Sequence, residues 1–164
     1  MLITRPAVGP AATAFARSPL PPAVLLARIA EFPIPAMFVG WRVFPAVTSV
    51  DEVAWDHVGA SRVHRLADGG RVTETMVEWT PGHGFAYELI GFTDVFGRLV
   101  RGVRGEWSAA PDVTGSIVRW TWEFAPRPGR RAIMALVVGP LWAAYMRRMI
   151  TAVTATVSEE PAGA

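Results

Sequence analysis

Glu74 and His64 are the residues whose types and spacing best suit acid–base chemistry in this sequence. They lie on either side of the turn 67–70, ADGG, which is typical of a β-hairpin, so their side chains can face each other across two strands. A carboxylate in an apolar pocket has a raised pKa and can exchange protons with a neighbouring imidazole. The alternative is structural, because Glu74 could instead form an ion pair with Arg62 or Arg65 across the same hairpin.

The composition excludes several other classes of site. The chain has no Cys, which excludes disulfides, thiolate catalysis and Cys-ligated metals. All sixteen basic residues are Arg, so no side-chain amine is present for Schiff-base chemistry. The three His are scattered without metal-ligand spacing, and neither a phosphate-binding glycine loop nor a nucleophile-elbow motif occurs. We therefore expect no metal and no cofactor.

Charge and hydropathy argue against nucleic acid and membrane partners. The net charge is only +2, and apart from two Arg–Arg pairs the basic residues are interspersed with acids. The longest uncharged run, 132–146, has fifteen residues and contains Pro140, whereas a span needs about 20 apolar residues. Pro6 and Pro10 interrupt any apolar core of a secretory signal. These features predict a cytoplasmic protein that neither spans a membrane nor binds nucleic acid.

The chain changes from helical to strand-like patterning near residue 46. Before it, 12–17 is predicted as a first strand, and 18–32 and 33–41 as two short helices limited by prolines. After it, apolar and polar residues alternate between short turns, which is typical of an antiparallel meander. The apolar stretch from 131 is helical again, with a kink or break expected at its Gly-Pro dipeptide.

One face of the predicted sheet is aromatic and the other is charged. Trp120 and Trp122 alternate with Thr121 and Glu123, and Tyr87 falls on the aromatic side of its own strand. A half-buried sheet shows this pattern, so the C-terminal helix is expected to pack across the aromatic face.

The sequence does not decide which face of the strand that carries Glu74 points into the core. Strict alternation places Glu74, Met76 and Glu78 on one face, and Val77 and Trp79 on the other. A β-bulge within this strand would change which residues face inward.

The order of these elements resembles the SRPBCC superfamily, also called START-like or Bet v 1-like, and within it the polyketide cyclase/dehydrase and lipid-transport group. The similarity covers roughly 12–157. It rests on the order and spacing of residues that bacterial members share: Trp55, Gly59, Arg62, Asp68-Gly69, Glu74, Pro81, Phe85 and Tyr87, followed by Gly105, Trp107, Gly115, Trp120 and Phe124.

The resemblance implies an α+β helix-grip fold. In it, a curved antiparallel sheet of six to seven strands wraps around a long C-terminal helix, and two short helices follow the first strand. The expected organisation is a single START-like ligand-binding domain over 11–157, between a flexible tail at 1–10 and a disordered tail at 158–164. A cavity between sheet and helix is expected to be lined by Leu66, Met76, Phe85, Tyr87, Trp107, Trp120, Trp122, Leu136, Leu141 and Tyr145.

Three functions follow from this resemblance, and fold alone does not choose between them. The leading hypothesis is binding of a small hydrophobic or amphipathic ligand, such as a lipid, polyketide or aromatic compound. The alternative is a cofactor-free cyclase or dehydratase that uses Glu74 and His64 for proton transfer and Tyr87 to orient the substrate. The third is a protein-interaction module whose apolar helix meets a partner or a membrane surface, and a homodimer is compatible with it.

Overall fold

Seven antiparallel strands form one open sheet in the order β1-β7-β6-β5-β4-β3-β2. The computed structural model describes residues 9–159. The strands are β1 Ala11–Ser18, β2 Val47–Val50, β3 Ser61–Leu66, β4 Arg71–Thr80, β5 Gly84–Ile90, β6 Val100–Asp112 and β7 Gly115–Pro126. The helices are α1 Pro22–Glu31, α2 Ile34–Met37, a 3-10 turn Val95–Arg98 and a C-terminal helix Arg131–Glu159. The predicted α+β architecture, with two short helices after the first strand, is confirmed.

The two ends of the described chain are more ordered than the sequence predicts. The backbone carbonyl of Pro10 accepts a hydrogen bond from the Phe124 N–H at 2.9 Å, and the Gly9 N–H donates to the Glu123 carboxylate at 3.3 Å. Gly9 and Pro10 therefore continue the pairing of β1 with β7. The C-terminal helix extends to Glu159, beyond the predicted start of the tail. The remaining parts of the two predicted tails, 1–8 and 160–164, lie outside the described residues.

A register shift in β4 decides which of its side chains face inward. Met76 pairs with Tyr87 and Glu78 with Ala86, so Val77 is the extra residue of a β-bulge. Glu74 and Met76, which precede the bulge, face the core. Because the bulge inserts one residue, Trp79 returns to the same face and packs on Phe85.

The C-terminal helix passes through Gly139 and Pro140 without a break, so of the expected kink or break the break is wrong. Its segment Met134–Val138 is π-helical, and the Gly139 N–H donates to the Met134 carbonyl one residue further back than in an α-helix. Proline has no N–H and its ring crowds the preceding turn, so a widened turn just before Pro140 accommodates it.

The apolar face of this helix is buried against β1, α1 and the aromatic side of the sheet. By length and composition the helix could cross a membrane, but the core helix of a globular domain passes the same test. The buried side chains occupy one continuous face: Trp142, Tyr145, Met146, Met149, Ile150, Val153 and Val157. This burial accounts for the second half of the helix, whereas Ile133, Leu136 and Val137 in its first half are exposed.

A candidate ligand cavity with a buried polar cluster

A cavity of about 440 Å³ lies between the sheet, the two short helices and the C-terminal helix. Its size is within the range of about 300–1,000 Å³ that is usual for small-molecule sites. Most of the wall is apolar, and eleven of its residues are aromatic: Phe38, Phe44, Trp55, Phe85, Tyr87, Phe92, Phe96, Trp107, Trp122, Trp142 and Tyr145.

A cluster of three ionisable side chains lies on the strand side of this cavity. Glu74 Oε2 accepts a hydrogen bond from Arg62 Nε at 2.6 Å and lies 2.9 Å from His64 Nε2. Arg62 is the direct cross-strand partner of Glu74, and His64 follows two residues later on the same face of β3. The side chains of Arg62, His64 and Glu74 are only 10%, 6% and 5% exposed, so all three are largely removed from water.

Opposing effects act on the Glu74 carboxylate. Burial is the largest and raises its pKa, because an apolar surrounding disfavours the charged form. The hydrogen bond and charge of His64, together with those of Arg62, outweigh burial, and the pKa of Glu74 is lowered below its ordinary value of 4.5. Glu74 is therefore an anion at neutral pH, and the expectation of a raised pKa is corrected.

Arg62 is held from both sides. Its guanidinium carbon lies 3.9 Å from the centre of the Trp55 ring, and its Nε is bonded to Glu74. Stacking on an indole suits the planar guanidinium. The structure thus combines both interpretations of Glu74: it is ion-paired across the hairpin, and it also contacts His64 on the cavity wall.

Two polar atoms of the cluster remain available to a ligand. Glu74 Oε1 and His64 Nδ1 have no hydrogen-bond partner within residues 9–159. Both side chains line the cavity. If Nε2 carries the imidazole proton toward Glu74, then Nδ1 presents a lone pair.

Tyr87 supplies a third polar group beside the cluster. Its hydroxyl accepts hydrogen bonds from Trp120 Nε1 at 2.9 Å and Trp122 Nε1 at 2.8 Å, which leaves its own proton to be donated. Burial and, second, the negative charge of Glu74 raise the pKa of Tyr87, so the phenol stays protonated at neutral pH.

A second aromatic cluster closes the helix side of the cavity. Trp142 stacks on Trp122 with ring centroids 4.2 Å apart, and Phe44 lies edge-on to Trp142 at 4.9 Å. Tyr145 stacks on Phe44 at 5.7 Å, and its hydroxyl accepts a hydrogen bond from the Gly40 N–H at 3.0 Å. These contacts fix the loop between α2 and β2 to the C-terminal helix.

Ten residues were expected to line the cavity, and the structure distributes them between three places. Seven lie in its wall: Leu66, Phe85, Tyr87, Trp107, Trp122, Leu141 and Tyr145. Met76 and Trp120 are fully buried behind the wall, where Trp120 stacks on Trp107 at 4.6 Å. Leu136 is 77% exposed and lies outside the wall, which corrects its prediction. Leu136 lies nine residues before Tyr145, about two and a half turns of an α-helix, so the two side chains lie on opposite faces of the helix.

Exposed apolar residues mark the mouth of the cavity. Val43 is 74% exposed and Val95 is 70% exposed, yet both belong to the cavity wall, so they lie at its entrance. Asp68 and Asp94 are also on this side. Burial, and to a smaller extent the charge of Asp68, raises the pKa of Asp94.

The sequence interpretation omitted several wall residues. Arg62 was considered only as a structural partner, although its place two residues before His64 puts it on the same strand face. Phe44 and Trp142 come from a loop and from the helix, and periodicity within one element gives no sign that they meet. No group of three metal-ligating side chains occurs within residues 9–159.

Comparison with known families and structures agrees with this architecture. The family model described as polyketide cyclase / dehydrase and lipid transport matches residues 10–158. No curated protein matches the sequence.

Solved structures share the fold at low sequence identity. Ara h 8.0201 has a TM-score of 0.68 at 16% identity, with 92% of this chain and 98% of that chain covered. Norcoclaurine synthase from Thalictrum flavum, solved with dopamine and hydroxybenzaldehyde, has a TM-score of 0.67 at 14% identity, covering 99% and 98%. The protein XoxI from Bacillus cereus has a TM-score of 0.65 at 14% identity, covering 92% and 96%.

Proposed function

Because the chain belongs to the polyketide cyclase/dehydrase and lipid-transport family of the SRPBCC superfamily, with its Bet v 1-like helix-grip fold, we propose that it binds a small, mainly apolar ligand in the cavity. The observation that carries the proposal is the wall itself, which encloses about 440 Å³ with eleven aromatic residues. Flat ring surfaces favour a ligand with fused or conjugated rings, which stack on them as aromatic pairs do.

The driving force for such binding is burial of apolar ligand surface. Each Å² removed from water contributes about 25 cal/mol, and the wall is preformed by packing rather than ordered by the ligand. Trp107 and Trp120 stack on each other, and Trp120 is held by Tyr87, so this part of the wall is rigid. The entrance between Val43 and Val95 gives such a ligand an apolar path inward.

The test is native mass spectrometry of freshly purified protein, followed by organic extraction and a thermal-shift panel of aromatic compounds. Ala30 lies on α1 and lines the cavity, so Ala30→Phe should fill part of it and abolish ligand adducts. Ala27→Phe on the exposed side of the same helix is the matched control and should bind as the wild type does. Equal binding by both variants would contradict the cavity as the binding site.

A second candidate, a cofactor-free cyclase or dehydratase, is favoured by the contact between His64 and Glu74 on the cavity wall. In this reaction His64 Nδ1 removes a proton from the carbon beside a carbonyl, and the resulting imidazolium is stabilised by Glu74. Tyr87 donates a hydrogen bond to the enolate oxygen. The imidazolium then returns the proton, either to carbon or to a departing hydroxyl, which leaves as water.

The structure changes the roles of the two predicted proton carriers within this candidate. Glu74 is held as an anion by Arg62, so it serves as a positioning group that orients and stabilises the His64 ring. The basic atom is then on His64.

Deuterium exchange at the α-carbons of 2-tetralone in D₂O, followed by NMR, tests the enzymatic candidate without knowledge of the natural substrate. His64→Gln should reduce protein-dependent exchange by about 10²-fold or more, in line with the usual contribution of a general base. Glu78→Gln removes a carboxylate from the outer face of the neighbouring strand β4 and should leave the rate unchanged. Exchange no faster than in buffer would exclude this activity on a bicyclic ketone.

A further inference from the structure

Acidic residues outnumber basic residues in the cavity wall. The bases are Arg62 and His64, and the carboxylic acids are Asp68, Glu74 and Asp94. Glu74 Oε1 is unbonded to any other residue of 9–159 and belongs to a side chain on the cavity wall. We propose that the polar end of the cavity selects a ligand that carries a hydroxyl, as an alcohol, phenol or enol, and rejects carboxylates and phosphates. This inference rests on the proposed function and specifies its ligand class.

The first argument concerns Arg62, the one arginine that the described residues place in the cavity wall. Its charge is compensated by Glu74 at 2.6 Å and its plane is stacked on Trp55 at 3.9 Å. An anionic ligand that used Arg62 would therefore share it with a carboxylate already in contact. Burying a further charge without its own partner is costly, so the cavity disfavours anions.

The second argument concerns what the available atoms can bond. Glu74 Oε1 is an acceptor, and Tyr87 has one proton left to donate after its two indole bonds. A hydroxyl group carries the proton that Glu74 Oε1 needs, so it can donate to that oxygen, while Tyr87 offers a separate donor to another oxygen of the ligand. A carboxylate or an ether offers acceptors alone and leaves Glu74 Oε1 without a donor.

The third argument concerns the strength of the bond. A hydrogen bond to a charged acceptor in a poorly solvated site is stronger than one between neutral groups. The carboxylate is kept ionised by its own partners, so it is already prepared to accept when the ligand arrives. The cavity therefore distinguishes ligands by whether they donate a hydrogen bond to Glu74, while the aromatic walls supply affinity for any flat ring.

Four probes of matched shape test the proposal by fluorescence titration or calorimetry at pH 7: naphthalene, 2-naphthol, 2-methoxynaphthalene and 2-naphthoate. We expect 2-naphthol to bind about 10–100-fold more tightly than 2-methoxynaphthalene, the range for a hydrogen bond to a charged group. 2-Naphthoate should bind more weakly than naphthalene. Equal affinity for naphthol and its methyl ether, or tightest binding of naphthoate, would overturn the inference while leaving the cavity intact.

A matched pair of variants tests whether the preference for naphthol comes from the Glu74 carboxylate. Glu74→Gln should reduce the preference for naphthol over its methyl ether to within about threefold, because a neutral amide makes the weaker hydrogen bond. Glu78→Gln, which removes a carboxylate on the opposite face of β4, should retain the full preference. Naphthalene binding by Glu74→Gln reports that the variant is folded. Failure of all four probes to bind wild-type protein would instead contradict the proposed function itself.

Discussion

Gly105 lies directly beneath the phenol ring of Tyr87, so closely that a Cβ atom at position 105 would come within 2.1 Å of Tyr87 Cζ. The two residues are cross-strand partners on β6 and β5. The missing side chain lets the ring lie flat across the neighbouring strand, where its hydroxyl meets the indole N–H groups of Trp120 and Trp122. A residue without chemistry of its own thus fixes the position of a polar group on the cavity wall.

Gly105→Ala is expected to destabilise the fold by about 1–3 kcal/mol, the usual cost of overpacking a well-packed core. Chemical denaturation measures this cost. Combining Gly105→Ala with Tyr87→Leu removes the atoms that clash, so the double variant should lose less than the sum of the two single losses. Strict additivity would mean that the methyl group does not meet the Tyr87 ring.

Tyr87→Phe tests the hydroxyl rather than the ring. It leaves two buried indole N–H groups without an acceptor, and we expect a loss of about 2–6 kcal/mol, since each unsatisfied buried donor costs about 1–3 kcal/mol. In ¹⁵N–¹H NMR spectra, two of the seven indole signals should move strongly, those of Trp120 and Trp122. Tyr145→Phe removes a single backbone partner and should leave those two signals in place. Unchanged indole signals in Tyr87→Phe would contradict the shared hydrogen bonds.

The architecture was predictable because apolar side chains recur at every second residue along each strand and so mark its buried face. Alternation placed Trp120, Trp122 and Tyr87 on one face, and the structure buries all three. The bulge at Val77 was not fixed by local pattern, since it is a property of two paired strands and their registers. The C-terminal helix is a second such case. Its Gly-Pro pair predicted a kink or a break, and a π-helical turn accommodates the proline without a break.

Part of the candidate site was predictable for a different reason. Glu74 and His64 were brought together by the short turn between their strands, and such local contacts follow from sequence spacing. The electrostatic state of Glu74 was not predictable, because it depends on whether Arg62 points inward and on the stacking of Arg62 on Trp55. The prediction for Leu136 was wrong because this residue lies about two and a half helical turns before Tyr145, on the opposite face of the helix.

Arg62 and Arg65 lie on the same strand and provide a matched comparison of a buried and an exposed ion pair. Arg62→Met leaves Glu74 charged and buried, and we expect a loss of about 3–5 kcal/mol. Arg65→Met breaks a pair with Asp51 in which both side chains are well exposed, and the expected loss is much smaller, because solvent screens such a pair. Urea denaturation at pH 7 measures both. Similar losses for the two variants would show that Glu74 does not depend on Arg62 for its charge.

Asp94 is expected to reduce stability at neutral pH, because its pKa is raised above the ordinary 3.8 by burial first and by Asp68 second. A carboxyl with a raised folded pKa binds protons more readily when folded, so stability increases as pH falls through that pKa. Asp94→Asn keeps the acceptor for the Gly97 N–H and removes the charge. The variant should have a higher Tm than wild type at pH 7, and the difference should disappear toward pH 3 (roughly the lower limit of carboxylate titration). A lower Tm at pH 7 would contradict this assignment.

Glu74 should show the opposite dependence. Its folded pKa is below the ordinary 4.5, so the folded state binds protons less readily than the unfolded chain. The stability that its charge contributes is therefore complete above pH 4.5 and is lost as pH falls through the folded pKa. The free energy of unfolding of wild type should exceed that of Glu74→Gln most at pH 7, and the difference should narrow continuously below pH 4.5. Urea titrations across this range measure the difference, with Glu78→Gln as the baseline for loss of an outer-face carboxylate. A difference that widens in acid would mean that burial, rather than Arg62 and His64, dominates at Glu74, and the cavity would then present a protonated acid in place of an anion.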